Sequence, residues 1–277
     1  ALGNSQPNIT RAMNSLEQQT NTTLFIRTNR GVRLTPEGEK LNKRISSAMA
    51  QIFAAEEELA ESSGLSRGVV SIGASETALN IFLLDKLRSF RMTYPGIKLK
   101  IFNYSTPQAI ESVKNDQVDF AVVSTPADVH MPLKMTVLRS FREILVGGRT
   151  FTALGSQELS IEELQDYSFI CLGRETTTFE FYKQLFLSHG IELDPDTEAA
   201  TTDQILPLVK GELGMAFIPE AMAADALRSR EIVRIPLRQN IPERNICMVY
   251  DSHHPLNAAA KQLKRTILEG TNNIDDQ

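Results

Sequence analysis

The spacing of apolar residues changes along the chain, and each spacing predicts a different kind of element. Near the N-terminus, Ile9, Met13 and Leu16 fall on one face of a short helix whose opposite face is polar and carries hardly any acid. Ser5 is a candidate N-cap for this helix. Residues 24–34 then have the pattern of a small hairpin that turns at 29–31. The first 35 residues therefore predict a short amphipathic helix followed by a hairpin wing.

A second helix with a narrower apolar stripe is predicted from Thr35, where a hydroxyl cap precedes Pro36 and Glu37. Its apolar residues recur at alternating spacings of four and three: Leu41, Ile45, Ala48, Ile52, Ala55 and Leu59. This heptad pattern favours a helix that pairs with the same helix of a second subunit. A single amphipathic helix that lies on its own domain would give a similar pattern. The helix is predicted to end at 62–64.

Beyond residue 69 the pattern becomes one of short apolar strands that alternate with amphipathic helices. The predicted strands cover residues 69–73, 97–102, 118–123, 144–146, 169–172, 215–218, 232–235 and 246–250. The predicted helices cover residues 78–94, 107–115, 178–188, 203–210 and 257–269. Such alternation predicts parallel strands with helices on both faces of the sheet. Gly147-Gly148 is a plausible crossing from one lobe to a second.

These elements divide the chain into five segments. The boundaries are 1–35 for the helix and wing, 36–64 for the linker helix, 69–148 with 245–270 for lobe I, 149–244 for lobe II, and 271–277 for a tail that we expect to be disordered. The closing helix is predicted to pack on lobe I.

Charge and cysteine content narrow the function class. The chain of 277 residues has a net charge of −5, yet residues 1–35 carry four arginines against one glutamate, a local charge of +3. This asymmetry is expected when one module touches DNA and another does not. No apolar run approaches the ~20 residues that a membrane span needs. Cys171 and Cys247 lie in apolar runs without metal or redox spacing, which indicates buried thiols rather than a redox pair.

Several motifs resemble the LysR-type family of transcriptional regulators. The winged helix-turn-helix of that family is similar to Ser5-Gln6-Pro7, Arg11, Leu16-Glu17, Leu24-Phe25, Arg27 and residues 30–39. Weaker marks follow in the family's order at 94–99, 119–122, 211–219 and 254–256, so the resemblance covers essentially the whole chain. Family members carry two further helices before this motif, whereas this chain opens inside it at Ala1. We therefore expect an incomplete N-terminal domain that binds DNA poorly as it stands.

The resemblance implies a fold and a set of partners. The fold is an N-terminal winged helix-turn-helix, a long dimerisation helix, and a two-lobed α/β effector-binding domain that resembles type 2 periplasmic binding proteins. The implied partners are double-stranded promoter DNA, a small-molecule effector, and further copies of the chain in a homodimer or a homotetramer (a dimer of dimers). A cytoplasmic location is implied, with no cofactor, metal or membrane. The DNA-binding role carries over to Ser5, Gln6, Pro7, Thr10, Arg11, Arg27 and Arg30.

Hydroxyl side chains at the predicted strand ends and helix starts indicate where an effector binds. Ligands of open α/β sheets bind beyond the carboxyl ends of strands, where helix N-termini present free N–H groups. A hydroxyl and two backbone N–H groups can hold a small carboxylate without a buried counter-charge. The residues in question are Ser75, Thr77, Ser124, Thr125, Thr177 and Thr202. Any single one of them is better explained as an ordinary helix cap than as a ligand contact, and it is the convergence of at least three on one cleft that favours the binding role.

The carboxylate of Glu76 does not fit a cleft that binds only anions. If it points into the cleft, it favours an effector with an amine, or a cation; if it points outward, it is simply an acid in the first turn of a helix, and we expect the second.

Two other function classes fit less well. An enzyme is disfavoured because the four histidines lie in no ligand spacing and no phosphate loop or nucleophile elbow is present. A clamshell solute-binding protein without a DNA-binding role shares the two-lobed pattern. However, it needs neither a heptad helix nor a basic winged segment.

Overall fold

The computed structural model describes residues 6–28, 31–42, 44, 45, 48, 52 and 67–269. The chain divides into two compact units, residues 1–62 and 63–277, and each is described by itself. The predicted residues Ser5, Arg30, Ala55 and Leu59, the predicted helix end at 62–64 and the tail at 271–277 lie outside the described residues.

The first unit contains the predicted helix and wing. Helix α1 spans Gln6–Thr20, and strands β1 (Phe25–Thr28) and β2 (Gly31–Leu34) form an antiparallel pair. Helix α2 covers 36–42 and is described again at 44, 45, 48 and 52. The predicted cap is confirmed, because the hydroxyl of Thr35 accepts from the N–H of Gly38 at 3.0 Å.

The side chain of Glu17 connects α1 to the wing. Its carboxylate accepts hydrogen bonds from the backbone N–H groups of Leu24 (2.7 Å) and Phe25 (3.0 Å). The hydroxyl of Thr35 donates to the carbonyl of Thr23 at 2.8 Å, so both ends of the wing are held. Leu24 is buried between these anchors.

On the linker helix, three of the four described residues of the apolar stripe are exposed within the single chain. Leu41 is half-buried, and Ala48 is exposed. Ile45 and Ile52 are 45% and 52% exposed. Isoleucines at this spacing are available for contact with another surface.

Lobe I of the second unit is built on a five-stranded sheet. Its strands are β3 (Gly68–Ala74), β4 (Ile97–Asn103), β5 (Phe120–Ser124), β6 (Leu133–Phe141) and β12 (Arg244–Asp251), in the order β4-β3-β5-β12-β6. The pairs β3–β4 and β3–β5 are parallel, as predicted. Strand β12 pairs antiparallel with both β5 and β6, so the prediction of parallel pairing is wrong at this edge.

Helices cover both faces of this sheet. A continuous helical segment comprises α3 (Glu76–Ala78), a π-helical turn (Leu79–Leu83) and α4 (Leu84–Thr93), and it packs on one face with α9 (Ala258–Glu269). Helix α5 (Thr106–Lys114) packs on the other face. Successive strand residues alternate between the two cores, as in Val122 and Val123. The prediction that the closing helix packs on lobe I is confirmed.

Lobe II repeats this arrangement on a smaller sheet. Strands β7 (Glu143–Gly147), β10 (Ala216–Pro219) and β11 (Val233–Arg234) form a sheet in the order β10-β7-β11. Both of its pairs are antiparallel, so the prediction of parallel pairing is wrong for this sheet as well. Strands β8 (Ile170–Leu172) and β9 (Thr197–Ala199) form a parallel pair that a single bridge between Phe169 and Met215 joins to it. Helix α6 (Thr177–Leu187) covers one face, and α7 (Thr202–Lys210) and α8 (Glu220–Arg228) cover the other.

The first crossing between the lobes lies earlier than predicted. We assigned residues up to 148 to lobe I, but β7 pairs with β10 and β11 of lobe II. Strand β6 of lobe I ends at Phe141, so the chain crosses at Arg142. The second crossing, just before β12, agrees with the predicted boundary to one residue. Strands β6 and β9 and helix α8 were not predicted.

Candidate functional site

A polar cleft of about 200 Å³ lies between the two lobes. Its walls are helix starts and strand ends from both lobes, and they bring together residues that are far apart in sequence. Five of the six predicted effector residues line it: Ser75, Thr77, Ser124, Thr177 and Thr202. The first turns of α5, α6 and α7 all reach this cleft, through Thr106, Thr177 and Thr202. The cleft is therefore rich in hydroxyl groups and in N–H groups at helix N-termini.

Two of the lining hydroxyls also serve as helix caps. The Oγ of Ser75 accepts from the N–H of Ala78 at 3.3 Å. The Oγ1 of Thr176 accepts from the N–H of Phe179 at 3.1 Å and donates to the carbonyl of Gly173 at 2.8 Å. Ser75 thus fulfils the cap role and also lines the cleft, and a hydroxyl that accepts one hydrogen bond still has its own hydrogen to donate.

Thr125 is not among the residues that line the cleft. Its hydroxyl accepts from the N–H of Asn245 at 2.8 Å, and its own N–H donates to the carbonyl of Asn245 at 2.9 Å. The side chain therefore joins the end of β5 to β12. We remove Thr125 from the set of candidate effector residues, because this contact turns it away from the cavity.

Glu76 lies at the cleft, contrary to our expectation that it points outward. One carboxylate oxygen accepts from the side-chain amide of Asn80 (2.8 Å) and the other from that of Asn103 (2.9 Å). Glu175 contributes a second carboxylate to the same cleft. The polar lining therefore combines hydroxyl donors with two acidic acceptors.

A buried arginine that sequence reasoning missed lies directly beneath the cleft. The side chain of Arg244, at the start of β12, is only 2% exposed. Its Nε donates to the carbonyl of Thr125 at 2.6 Å. Its Nη2 donates to the hydroxyls of Ser124 (3.4 Å) and Thr178 (2.9 Å), both of which line the cleft. The guanidinium therefore binds residues of lobe I and lobe II at once.

The charge of Arg244 is balanced by Glu143, the first residue of β7. Arg244 Nη1 lies 2.9 Å from the Glu143 carboxylate, which is 3% exposed. The phenol of Tyr182 donates a short hydrogen bond to the same carboxylate. Burial, and then the negative charge of Glu143, hold the pKa of Tyr182 well above its usual value, so the phenol keeps its proton. This cluster leaves no charge unpaired.

Aromatic rings enclose the guanidinium from both lobes. The centroid of the Phe141 ring is 5.5 Å and that of Phe181 is 5.2 Å from Arg244 Cζ. Glu143 and Arg244 stand at the two crossings between the lobes, 101 residues apart in sequence. Nothing in the sequence around Arg244 indicates that it pairs with a residue 101 positions away, so the cluster was not predicted.

Both cysteines are buried and free, as predicted. Burial raises the pKa of Cys171 to about 12 and that of Cys247 to about 11. Thiols with such pKa values are poor nucleophiles. Within the described ranges there is no group of three or more residues suited to hold a metal ion. No helix in that part of the chain has the length and apolar character to cross a membrane.

In the first unit, the predicted DNA-facing residues lie on α1 and the wing. Thr10 and Arg11 are exposed on α1. Gln6 and Pro7 belong to the first turn of α1, and Arg27 belongs to β1. Of the apolar residues on the back of α1, Met13 and Leu16 are half-buried whereas Ile9 is 49% exposed.

Comparisons with known proteins agree with this arrangement. The family described as "LysR substrate binding domain" matches residues 63–272, and "Bacterial regulatory helix-turn-helix protein, lysR family" matches residues 1–39. The HTH-type transcriptional regulator YofA of Bacillus velezensis is 25% identical over 93% of this chain and 86% of its own length.

Two solved structures share the fold of the second unit. The effector-binding domain of QuiR in complex with shikimate has a TM-score of 0.66 at 16% identity, covering 76% of this chain and 99% of that one. The regulatory domain of CcmR from Synechocystis PCC6803, in complex with 2-PG, has a TM-score of 0.67 at 17% identity, covering 75% and 99%.

The family match excludes a solute-binding protein that has no DNA-binding domain, because it includes the helix-turn-helix as well as the two-lobed domain. The chain belongs to the LysR family: it is a LysR-type transcriptional regulator with an effector-binding domain.

Proposed function

We propose that this regulator binds a small carboxylate in the cleft between its lobes and that binding changes how its DNA-binding units engage promoter DNA. The observation that carries the proposal is the convergence of hydroxyls and helix N-termini from both lobes on one cavity. Such groups stabilise an anion without a free counter-charge. The ligands of QuiR and CcmR support a small-molecule effector in a domain of this fold, and shikimate is itself a carboxylate.

The proposed contact residues are Ser75, Thr77, Ser124, Thr177 and Thr202. They belong to both lobes, so a ligand held by all of them favours the arrangement in which the lobes are close. A ligand shifts a conformational equilibrium only by its difference in affinity between the two states. A carboxylate that contacts both lobes meets this requirement, since an open cleft offers it only half of the contacts.

The family and the exposed isoleucines Ile45 and Ile52 of the linker helix also support a wider assembly. The linker helices pair two subunits, and two dimers form a tetramer on promoter DNA, which places the protein in the cytoplasm with the chromosome. Its role is regulatory and non-enzymatic. Thr10, Arg11 and the other predicted residues of the helix and wing meet the DNA.

The cleft assignment is tested by calorimetry with shikimate and a set of small metabolic acids. We expect at least one acid to bind wild-type protein, and Ser75→Ala to weaken that binding about tenfold, the effect of losing one hydrogen bond to a charged group. Ser140→Ala is the matched control, because its hydroxyl bonds Asn245 on the exposed face of β6. Equal affinity in wild type and Ser75→Ala removes Ser75 from the site. Failure of every acid to bind contradicts the proposal.

A further inference from the structure

Two cleft hydroxyls, one from each lobe, share a single hydrogen-bond donor. Ser124 of lobe I and Thr178 of lobe II both accept from Nη2 of Arg244, at 3.4 and 2.9 Å. Because they bond the same nitrogen atom, the two oxygens are near neighbours across the boundary between the lobes. Both line the cleft, whereas the guanidinium itself is buried beneath them.

This arrangement fixes the polarity of the two hydroxyls. A hydroxyl that accepts from a guanidinium, which can only donate, must direct its own hydrogen elsewhere. No acceptor for the Ser124 or Thr178 hydroxyl hydrogen is found among the residues that the structure describes. Two other cleft hydroxyls differ, because Thr106 donates to the carbonyl of Ser124 at 3.0 Å and Thr176 donates to that of Gly173. The Ser124 and Thr178 hydrogens are therefore available to a ligand.

We propose that Ser124 and Thr178 form a donor pair on the floor of the cleft, which Arg244 positions to receive one carboxylate of the effector. This inference rests on the proposed function and adds to it the orientation of the ligand and a positioning residue. Thr178 and Arg244 were not among the predicted effector residues. The pair spans both lobes, so the carboxylate it binds links them directly.

Glu143 and Tyr182 hold Arg244 in this orientation. Glu143 takes Nη1, which leaves Nη2 directed at the two hydroxyls. Tyr182, on α6 of lobe II, donates to the same carboxylate and so holds it in place. With its charge balanced by Glu143, Arg244 orients the floor without attracting a solvent anion to its own buried position.

Glu76 accepts hydrogen bonds, whereas the floor pair donates them, and this difference orients the effector in the cleft. Each oxygen of its carboxylate accepts one amide hydrogen and retains room for a second donor. The effector class is therefore a small acid that carries its carboxylate toward the floor and a hydroxyl or amino group toward Glu76.

The floor pair is tested with two minimal probes, sodium acetate and methylammonium chloride, followed by NMR of the backbone amides. Acetate can only accept hydrogen bonds at this floor, whereas methylammonium can only donate. We expect saturable acetate shifts at Ser124 and Thr178 in the wild-type protein and none with methylammonium. Thr178→Val should weaken acetate binding about tenfold, and Thr178→Ser should restore it, because serine supplies the hydroxyl.

The role of Arg244 is tested by Arg244→Lys and Arg244→Met, with folding checked by the amide spectrum. Lysine keeps the positive charge and can only donate hydrogen bonds, so it still directs the two hydroxyl hydrogens toward the cleft. The Arg244→Lys protein should therefore still prefer acetate to methylammonium. In the methionine variant the hydroxyls are free to reverse, and this preference should fall about tenfold. If Arg244→Met does not fold, the result for Thr178→Val with its serine rescue decides the proposal.

The outcomes separate this inference from the proposed function. Thr177→Val alters a neighbouring cleft hydroxyl, which is not among the hydrogen-bond partners of Arg244 in the described structure. If acetate binding is lost in Thr177→Val but unchanged in Thr178→Val, the assignment of the cleft as the binding site is supported and the proposal of a Ser124–Thr178 donor pair is wrong. Methylammonium shifts at Ser124 and Thr178 would also overturn it. If acetate shifts no cleft residue in the wild-type protein, the cleft assignment itself is wrong.

Discussion

Two ion pairs of opposite polarity stand side by side where the chain passes between the lobes. Glu143 pairs with Arg244 inside the protein, and Arg142 pairs with Glu243 on its surface. The first pair is 3% and 2% exposed, whereas the second is 47% exposed at Glu243 and 74% at Arg142. Removal of one partner from a buried pair leaves an uncompensated charge, whereas water solvates the survivor of an exposed pair.

We expect Arg244→Met to lower the free energy of unfolding by about 3–5 kcal/mol, because it strands the Glu143 carboxylate. Arg142→Met is the matched control, since the same substitution one residue before Glu143 affects only the exposed pair. Urea titration of both variants measures the difference. Equal urea midpoints for the two variants would show that the buried pair does not contribute in this way.

The thiols should be inert in the folded protein. With a pKa of about 12, Cys171 is ionised in only about one molecule in ten thousand at pH 8. Cys247 is also buried. We expect Ellman's reagent to release nothing from native protein and two equivalents after unfolding in urea, one for each of the 2 cysteines. Rapid release from native protein would mean that one thiol is accessible.

Among the elements, the turn before β10 depends on one glycine. Gly214 has φ of +151°, and a Cβ there would lie 2.5 Å from the carbonyl oxygen of Ser168. The turn brings Met215 beside Phe169, where a bridge joins β8 to the central sheet of lobe II. The short motif at 211–219 therefore encodes a close backbone approach.

Gly214→Ala should destabilise the protein by about 2 kcal/mol or more, because strained φ and a backbone clash act together. Gly190→Ala isolates the strain: φ there is +76°, but a Cβ meets nothing within 4 Å. We expect that control to cost about 1 kcal/mol. Thermal unfolding of both variants provides the comparison, and a Gly214→Ala protein as stable as Gly190→Ala would refute it.

Helix α1 carries the clearest prediction for DNA recognition. Arg11 is exposed, and an arginine side chain can make paired hydrogen bonds with guanine. Arg11→Ala should weaken binding of the protein to its cognate promoter by about 1–3 kcal/mol in a footprint titration. Scrambled DNA should show a smaller loss, since it offers only phosphate contacts. Unchanged cognate affinity would contradict the role assigned to Arg11.

Strands and helices with regular periodicity were predictable from sequence, and β6 shows why one strand was missed. Its buried residues Leu133, Leu138 and Phe141 are spaced by five and three instead of two. The register with β12 shifts between Ile246 and Cys247, so Leu138 is an extra residue at a bulge. A bulge reverses the alternation of faces, and the partner strand that imposes it lies over 100 residues away.

The candidate site was partly predictable for a similar reason. Hydroxyls at strand ends and helix starts carry a local signal, and those at Ser75, Thr77, Ser124, Thr177 and Thr202 line the cleft. Thr125 has the same local signal but bonds Asn245 instead. Arg244 and Glu143 have no local signal, because only the fold brings them together.

For the whole molecule, the exposed isoleucines of the linker helix carry the prediction of assembly. Ile45 and Ile52 are about half exposed in the single chain and lie two turns apart on the predicted seam. A double substitution to aspartate should convert the protein from dimer or tetramer to monomer in analytical ultracentrifugation. Lys40→Asp, exposed on the same helix but off the seam, should leave the assembly intact. A double variant that keeps its wild-type mass would show that other surfaces hold the subunits.

The position of the two chain passages limits how the lobes can turn. The two chain passages between the lobes are joined by the ion pair of Glu143, at the start of β7, and Arg244, at the start of β12. Rotation about any axis far from this ion pair would have to pull the guanidinium away from its carboxylate. We therefore expect any opening of the cleft to turn about this ion pair and to separate Glu76 of lobe I from Glu175 of lobe II, which line the cleft from its two sides.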